Sequence, residues 1–102
     1  MPAIESFHLV LYPLWHDALT KSDYEAIKAA IPTLEIKMDS LMKATLPEWL
    51  KNKDSLFFER RLALKKGVDE LSNVCTDNKE TEIKAKLVLV HEQFRALDGI
   101  FE

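Results

Sequence analysis

Cys75 is the only cysteine, so the chain has no internal disulfide and no CxxC or CxxCH frame for zinc or covalently attached haem. Glycine is nearly absent, at two residues, and no GxxxxGK[ST], GxGxxG or GxSxG pattern occurs. Phosphate-cradling loops and serine nucleophile elbows are therefore excluded. Two glycines and four prolines also rule out a collagenous or linker-like chain. A basic excess is missing: 14 Lys+Arg against 17 Asp+Glu leave a net charge of −3, which argues against a nucleic-acid partner. The longest apolar run, Leu9 to Trp15, is far short of the ~20 residues that span a bilayer, so no membrane partner is expected. That run also lacks the basic flank and cleavage site of a secretion signal. A lone cysteine suits the cytoplasm, or the periplasm if the chain is a mature domain whose signal has been removed.

What is present is 47% hydrophobic and 30% charged residues, the balance of one globular domain over 1–102. Apolar residues recur at helical spacing in four blocks. Ile83, Leu87, Val90, Phe94, Leu97 and Phe101 alternate steps of four and three, as do Tyr24, Ile27, Ile31, Leu34, Met38 and Leu41. Phe57, Arg61, Leu64, Val68, Leu71 and Cys75 make a third stripe interrupted by one arginine, and Ile4, Phe7, Leu11, Trp15 and Ala18 mark the first. Period-2 alternation is absent, so no strand is predicted. Helices over 3–19, 23–46, 55–75 and 78–101 joined by short loops predict an all-α, antiparallel up-down-up-down four-helix bundle. Its centre is expected at Leu11, Leu34, Met38, Leu64, Val68, Leu87, Val90 and Phe94.

Boundary signals agree with the stripes. Ser22-Asp-Tyr-Glu25 reads as a capping box, Asp77 as the cap of the fourth helix, and Asp54 or Ser55 as the cap of the third. Pro47 ends the second helix near Leu46. Pro13 and Pro32 lie inside predicted helices, where each removes a donor and costs about 3 kcal/mol, so kinks or breaks are expected at both.

The residues with ligand chemistry are His8, His16 and His91. At 100° per residue, His8 lies about 60° and His91 about 80° from the centre of their apolar stripes, on the flanks facing a neighbouring helix. Helices 1 and 4 are neighbours in such a bundle, with His91 level with Tyr12 and one turn, ~6 Å, from both His8 and His16. His16 falls about 140° from its stripe centre and about 12 Å along the axis from His8 on a straight helix. A break at Pro13 re-aims it. Neutral imidazole is the commonest transition-metal ligand, which predicts a non-enzymatic metal site of His91 with His8, and with His16 if helix 1 breaks. Zinc or copper is expected before iron, with Glu5 or Asp98 available to complete the shell.

Sharper motifs fail. His91-Glu-Gln-Phe-Arg95 has an arginine where HExxH needs its second histidine. Glu5-Ser-Phe-His8 is one Glu-x-x-His element, but a carboxylate-bridged di-iron site needs a second, and position 88 is valine. No nucleophile stands beside a base, so an enzyme is not expected. Cys75 reads as a small buried hydrophobe. Arg61 reads as snorkelling or pairing with a carboxylate such as Asp39. Helix 1 also carries Leu9, Val10, Tyr12, Leu14 and Leu19, so it is apolar nearly all round. That predicts cover from a second subunit, a protein partner or the Trp49 loop. A homodimer or interaction bundle without metal is thus the competing expectation.

The arrangement of Phe7-His8, Pro13-Leu-Trp-His16, Asp23-Tyr24 and Leu89-Val-His91-x-x-Phe94 resembles small bacterial four-helix-bundle proteins of uncharacterised role. The resemblance implies metal binding through these histidines and, for some such proteins, export. At fold level the chain is also similar to soluble b-type cytochromes and cytochromes c-prime. The b-type bundles hold haem between a side chain early in helix 1 and a histidine in the last helix, positions that His8 and His91 match. Their helix 1 methionine is absent here, as is CxxCH, so haem is not the expected cofactor.

Overall fold

The computed structural model describes residues 1–101, and among them every regular element is helical. Four helices follow in order: α1 (Pro2–Pro13), α2 (Tyr24–Lys43), α3 (Asp54–Thr76) and α4 (Glu80–Asp98). A π turn, Leu14–Ala18, extends α1, and short 3-10 turns occupy Glu48–Lys53 and Gly99–Phe101. The body measures 41 × 20 × 19 Å. No helix is long and apolar enough to cross a membrane among the described residues.

The stripes form one continuous core. All eight residues expected at its centre are buried, and Leu11, Leu34, Leu64, Leu87 and Val90 are wholly inaccessible. Full burial of such a side chain stabilises the fold by about 1.5–3 kcal/mol. Cys75 belongs to this core. One stripe position shifts: Leu14 is buried where Trp15 was expected, and Trp15 is half-buried beside it.

Helix ends depart from the sequence expectation for identifiable reasons. Ser22 adopts a left-handed backbone, φ 54°, and Asp23 is the cap of α2, accepting the Ala26 amide at 3.2 Å. Asp77 closes α3 instead of opening α4. The Asp77, Asn78 and Lys79 amides fold back onto the Asn73, Cys75 and Val74 carbonyls, and Asn78 takes the left-handed position, φ 57°. Asparagine tolerates that conformation better than most residues. The side chains of Lys53 and Lys79, which precede α3 and α4, make no capping bond, and Asp54 is already helical. There its carboxylate sits in the first turn, where the helix dipole favours negative charge.

α2 runs through Pro32 without interruption, and Pro32 lies exposed, where solvent takes up the carbonyl it leaves unbonded. The helix ends at Lys43, three residues before Leu46, because Ala44 turns extended (ψ 148°). Arg61 stabilises this early end: its Nη1 donates to the carbonyls of Ala44 (2.9 Å) and Leu41 (3.3 Å). Arg61 therefore caps α2 and makes no ion pair with Asp39.

Other long-range contacts tie the helices together. Lys28 reaches Asn78, Lys86 pairs with Glu70 at 3.2 Å, Arg60 Nη1 donates to the Ala96 carbonyl and Lys53 to that of Ile100. α3 and α4 share the most extensive contact of any helix pair. At that contact Gly67 is buried against the side chain of Gln93, whose Oε1 is itself buried without a donor.

Two stability outcomes follow. Phe94→Ala empties a site in full contact with the core and is expected to cost about 3–5 kcal/mol in urea denaturation. Gly67→Ala places a methyl group on Gln93 Oε1, the free end of a flexible side chain, with Val90 Cγ2 at 3.4 Å. Displacing that oxygen to water removes an unsatisfied group, and alanine favours the helix by about 1 kcal/mol. A net gain of about 0.5–1 kcal/mol is expected; a loss above about 1 kcal/mol would show that Gln93 has nowhere to move.

Candidate functional site

His8, Tyr12 and His16 are four residues apart, so an ordinary helix stacks them along one face. The structure bears this out as a ladder. His8 meets Tyr12 edge-on, with centroids 5.7 Å apart, and Tyr12 stacks on His16 at 4.0 Å. On the adjoining face α1 meets α4: Phe94 stacks on Phe7 at 5.5 Å and on His8 at 5.3 Å. The last element is the tightest. The indole of Trp15 lies over His91 at 3.8 Å with only 3° between the ring planes.

Pro13 sets this arrangement. It has no amide hydrogen, so the carbonyl of Leu9 loses its helical donor and the ring crowds it. The π turn takes over, with the Leu19 amide bonding the Leu14 carbonyl at 2.9 Å. A π turn inserts extra residues into one revolution, and such turns recur at functional positions. Leu14, three residues from Leu11 and seven from Phe7, takes the core position, and Trp15 beside it stacks on α4. The break expected at Pro13 thus takes the form of a wider turn.

The ring contacts pair His91 with Trp15 rather than Tyr12, and His8 with Phe94. All three histidines share one α1–α4 seam. His8 and His16 are exposed and His91 is half-buried. The side-chain hydrogen bonds of the described residues involve none of the three imidazoles. Stacking therefore engages the ring faces and leaves the nitrogens at the ring edges without protein partners. Among the described residues, no three His, Cys, Asp or Glu side chains stand together in a ligand cluster. Glu5 and Asp98, expected as additional donors, are accordingly not gathered with the histidines.

Burial lowers the pKa of His91, reinforced by Arg95 and then by His16 and His8, with Glu92 opposing. Burial likewise raises the Cys75 thiol, with Lys28 opposing, which leaves it a protonated core residue without nucleophilic character. The aromatic partners Tyr12, Trp15 and Phe94 were not singled out from the sequence as part of the site. The 8-12-16 spacing was the available signal for Tyr12.

No protein-family model matches the chain, and no curated protein or solved structure matches it.

Because His91 is harder to protonate in the fold than in the unfolded chain, the unfolded state binds the proton first as pH falls. The stability contributed by neutral His91 is therefore complete above its ordinary value of 6.5 and declines as pH drops through that value towards the lower folded one. In a Trp49→Phe background, Trp15 fluorescence is expected to be quenched by imidazolium with a midpoint below 6.5, and to lose that step in His91→Gln. The indole face acts in the opposite sense, favouring a cation by about 0.5–1 kcal/mol at an open site. A midpoint above 6.5 would mean that this attraction outweighs burial and the neighbouring cations.

Proposed function

We propose that this chain is a non-enzymatic binding module that takes up a transition-metal ion, zinc or copper, at the α1–α4 seam. The observation that carries the proposal is that His8, His16 and His91 lie along one seam with their ring nitrogens unengaged, as separate side chains and not as a three-donor cluster. On this reading His91 and His16 are the primary donors, with His8 further along the seam. Trp15 and Tyr12 hold the two primary rings from their faces, which fixes ring planes while leaving the edges for coordination. Orientation of a ligand by its surroundings raises metal affinity. Imidazole donors suit zinc and copper, and a site with so few donors favours carriage or sensing over hydrolysis. The resemblance to small histidine-bearing bundles is part of the same reading.

The accompanying topology is an antiparallel up-down-up-down bundle. It is supported by contacts that join the start of α2 to the end of α3, the end of α2 to the first half of α3, and the first half of α3 to the end of α4.

A second reading is favoured by a separate observation: Leu9 is 76% and Tyr12 51% exposed on α1. Such a face suits a second copy or a protein partner without any metal. Its signature is a concentration-dependent dimer in sedimentation analysis, lost on Leu9→Glu.

Calorimetric titration of the metal-free protein with zinc and copper separates the two. Binding stronger than about 1 mM, roughly −4 kcal/mol, is expected in wild type. It should fail in His91→Ala and fade below about pH 6. Ligand excess should raise Tm in proportion to the logarithm of its concentration over Kd. Equal behaviour of wild type and His91→Ala would remove the metal reading.

A further inference from the structure

The outward face of α3 carries apolar side chains that the bundle leaves without cover. On the inward stripe Phe57, Leu64, Val68 and Leu71 are buried, whereas outward-facing Phe58 is 58% and Leu62 39% exposed. Four residues apart, these two are neighbours on one side of the helix. With Glu59, Ala63 and Lys66 they line an open depression. Ala63 is half-buried there, and Glu59 and Lys66 are exposed. Glu59 and Lys66 stand two turns apart along the same face, with Leu62 and Ala63 midway between them. Neither charge is engaged: no ion pair or side-chain hydrogen bond joins either one to another of the described residues. Nearby Lys65 and Asp69, by contrast, pair with each other at 2.6 Å. α3 packs extensively on α2 and α4 but not on α1, so its outward face is distinct from the α1 face that carries Leu9.

We infer that this face joins a second copy of the chain, α3 against α3 and antiparallel, about a two-fold axis beside Leu62 and Ala63. A two-fold contact lays one patch onto itself, so every favourable pair occurs twice. Running the helices antiparallel sets Glu59 of each copy opposite Lys66 of the other. Running them parallel puts Glu59 against Glu59 and Lys66 against Lys66, and like charges across a contact are unfavourable. The charge pattern therefore selects both the partner and its direction. Leu62 packs on the Leu62–Ala63 surface of the other copy, where the small alanine lets the helices approach. The Phe58 ring, one residue outside Glu59, covers the methylene stem of the opposite Lys66. Burial of these side chains adds apolar area, and the charges form its rim. A contact along one helix face is smaller than the ~1,600 Å² of a standard interface, so association is reversible, with Kd on the order of 100 µM. The inference is independent of metal binding and of any contact through α1.

Sedimentation equilibrium of the full chain from about 10 µM to about 1 mM, with a chelator present, tests it. Wild type is expected to pass from monomer to dimer, and Leu62→Glu to stay monomeric with unchanged helical circular dichroism. Glu59→Lys and Lys66→Glu each set like charges against one another twice, and each should weaken association at least about tenfold. Combining the two reversals in one chain restores opposite signs and should recover the wild-type Kd within about threefold. Mixing the two single variants in equal amounts creates the same pairs between unlike chains, so a heterodimer should form in preference to either homodimer. A wild type still monomeric at the highest concentration would leave the face to some other partner and overturn the inference. So would a dimer indifferent to Leu62→Glu, or one lost on Leu9→Glu instead, which places the contact on α1. Charge reversals that neither the double variant nor the mixture rescues would also overturn it.

Discussion

One missing hydrogen shapes the α1–α4 seam. Pro13 offers no N–H, so the carbonyl of Leu9 loses its ordinary helical donor and the pyrrolidine ring crowds it. Ending the helix there would expose the backbone next to a run of large apolar residues. The chain instead widens into the Leu14–Ala18 π turn and keeps its hydrogen bonding, with the Leu19 amide reaching back to Leu14. Within that turn the 3–4 spacing that runs from Ile4 through Phe7 and Leu11 selects which of two adjacent apolar residues is core. Leu14 enters it, and the larger Trp15 is displaced to the boundary. An indole at a boundary needs an apolar surface for its faces, and the His91 ring supplies one. The closest aromatic contact between α1 and α4 is thus a consequence of a backbone defect.

Flat rings on one seam have an electrostatic consequence. A neutral imidazole stacks on an aromatic face as another flat ring, and its two nitrogens project from the edge. The stacks are therefore compatible with coordination at those edges and incompatible with free rotation of the rings. Arg95 and the neighbouring histidines each disfavour a proton on His91. A proton and a metal ion compete for the same lone pair, so an environment that disfavours protonation keeps the nitrogen available near neutrality. Arg95 would also repel an incoming metal ion and so limit the affinity of the proposed site. On that proposal, neutral imidazoles beside Arg95 with no gathered carboxylates suit a reversible carrier better than a permanent structural site.

The parts of the fold legible in the sequence were those encoded by periodicity. Steps of three and four from Ile83 to Leu97 and from Ile27 to Leu41 specify a buried face whatever the partner, and those faces are buried. What sequence pattern missed was decided by single backbone conformations. Ser22 and Asn78 both adopt left-handed φ, and each moves the adjacent helix boundary. A capping box at Ser22 and a cap at Asp77 presume an extended cap residue, an assumption the local turn overrides. The histidines' shared seam was legible because it needs only the neighbourhood of helices 1 and 4. Which rings meet was not, because spacing on an ideal helix does not fix the side-chain contacts that stack Trp15 on His91 and Phe94 on His8. Of the two readings of Arg61, snorkelling or a carboxylate partner such as Asp39, the second does not hold, because the carbonyls it caps become free only when α2 ends early at Lys43.

The two buried polar atoms without partners, Gln93 Oε1 and Arg61 Nε, illustrate how the same defect carries different meaning in different places. Each is destabilising, since an unsatisfied buried group costs about 1–3 kcal/mol. Gln93 Oε1 lies in the α3–α4 contact, pressed against a glycine with no side chain of its own. There the defect accompanies the packing of Gln93 against Gly67 in the α3–α4 contact. Arg61 Nε belongs to a group that also borders a cavity of about 250 Å³. Nε is nevertheless covered from solvent, and the guanidinium is held by the Leu41 and Ala44 carbonyls, so the defect follows from the contact that caps the end of α2.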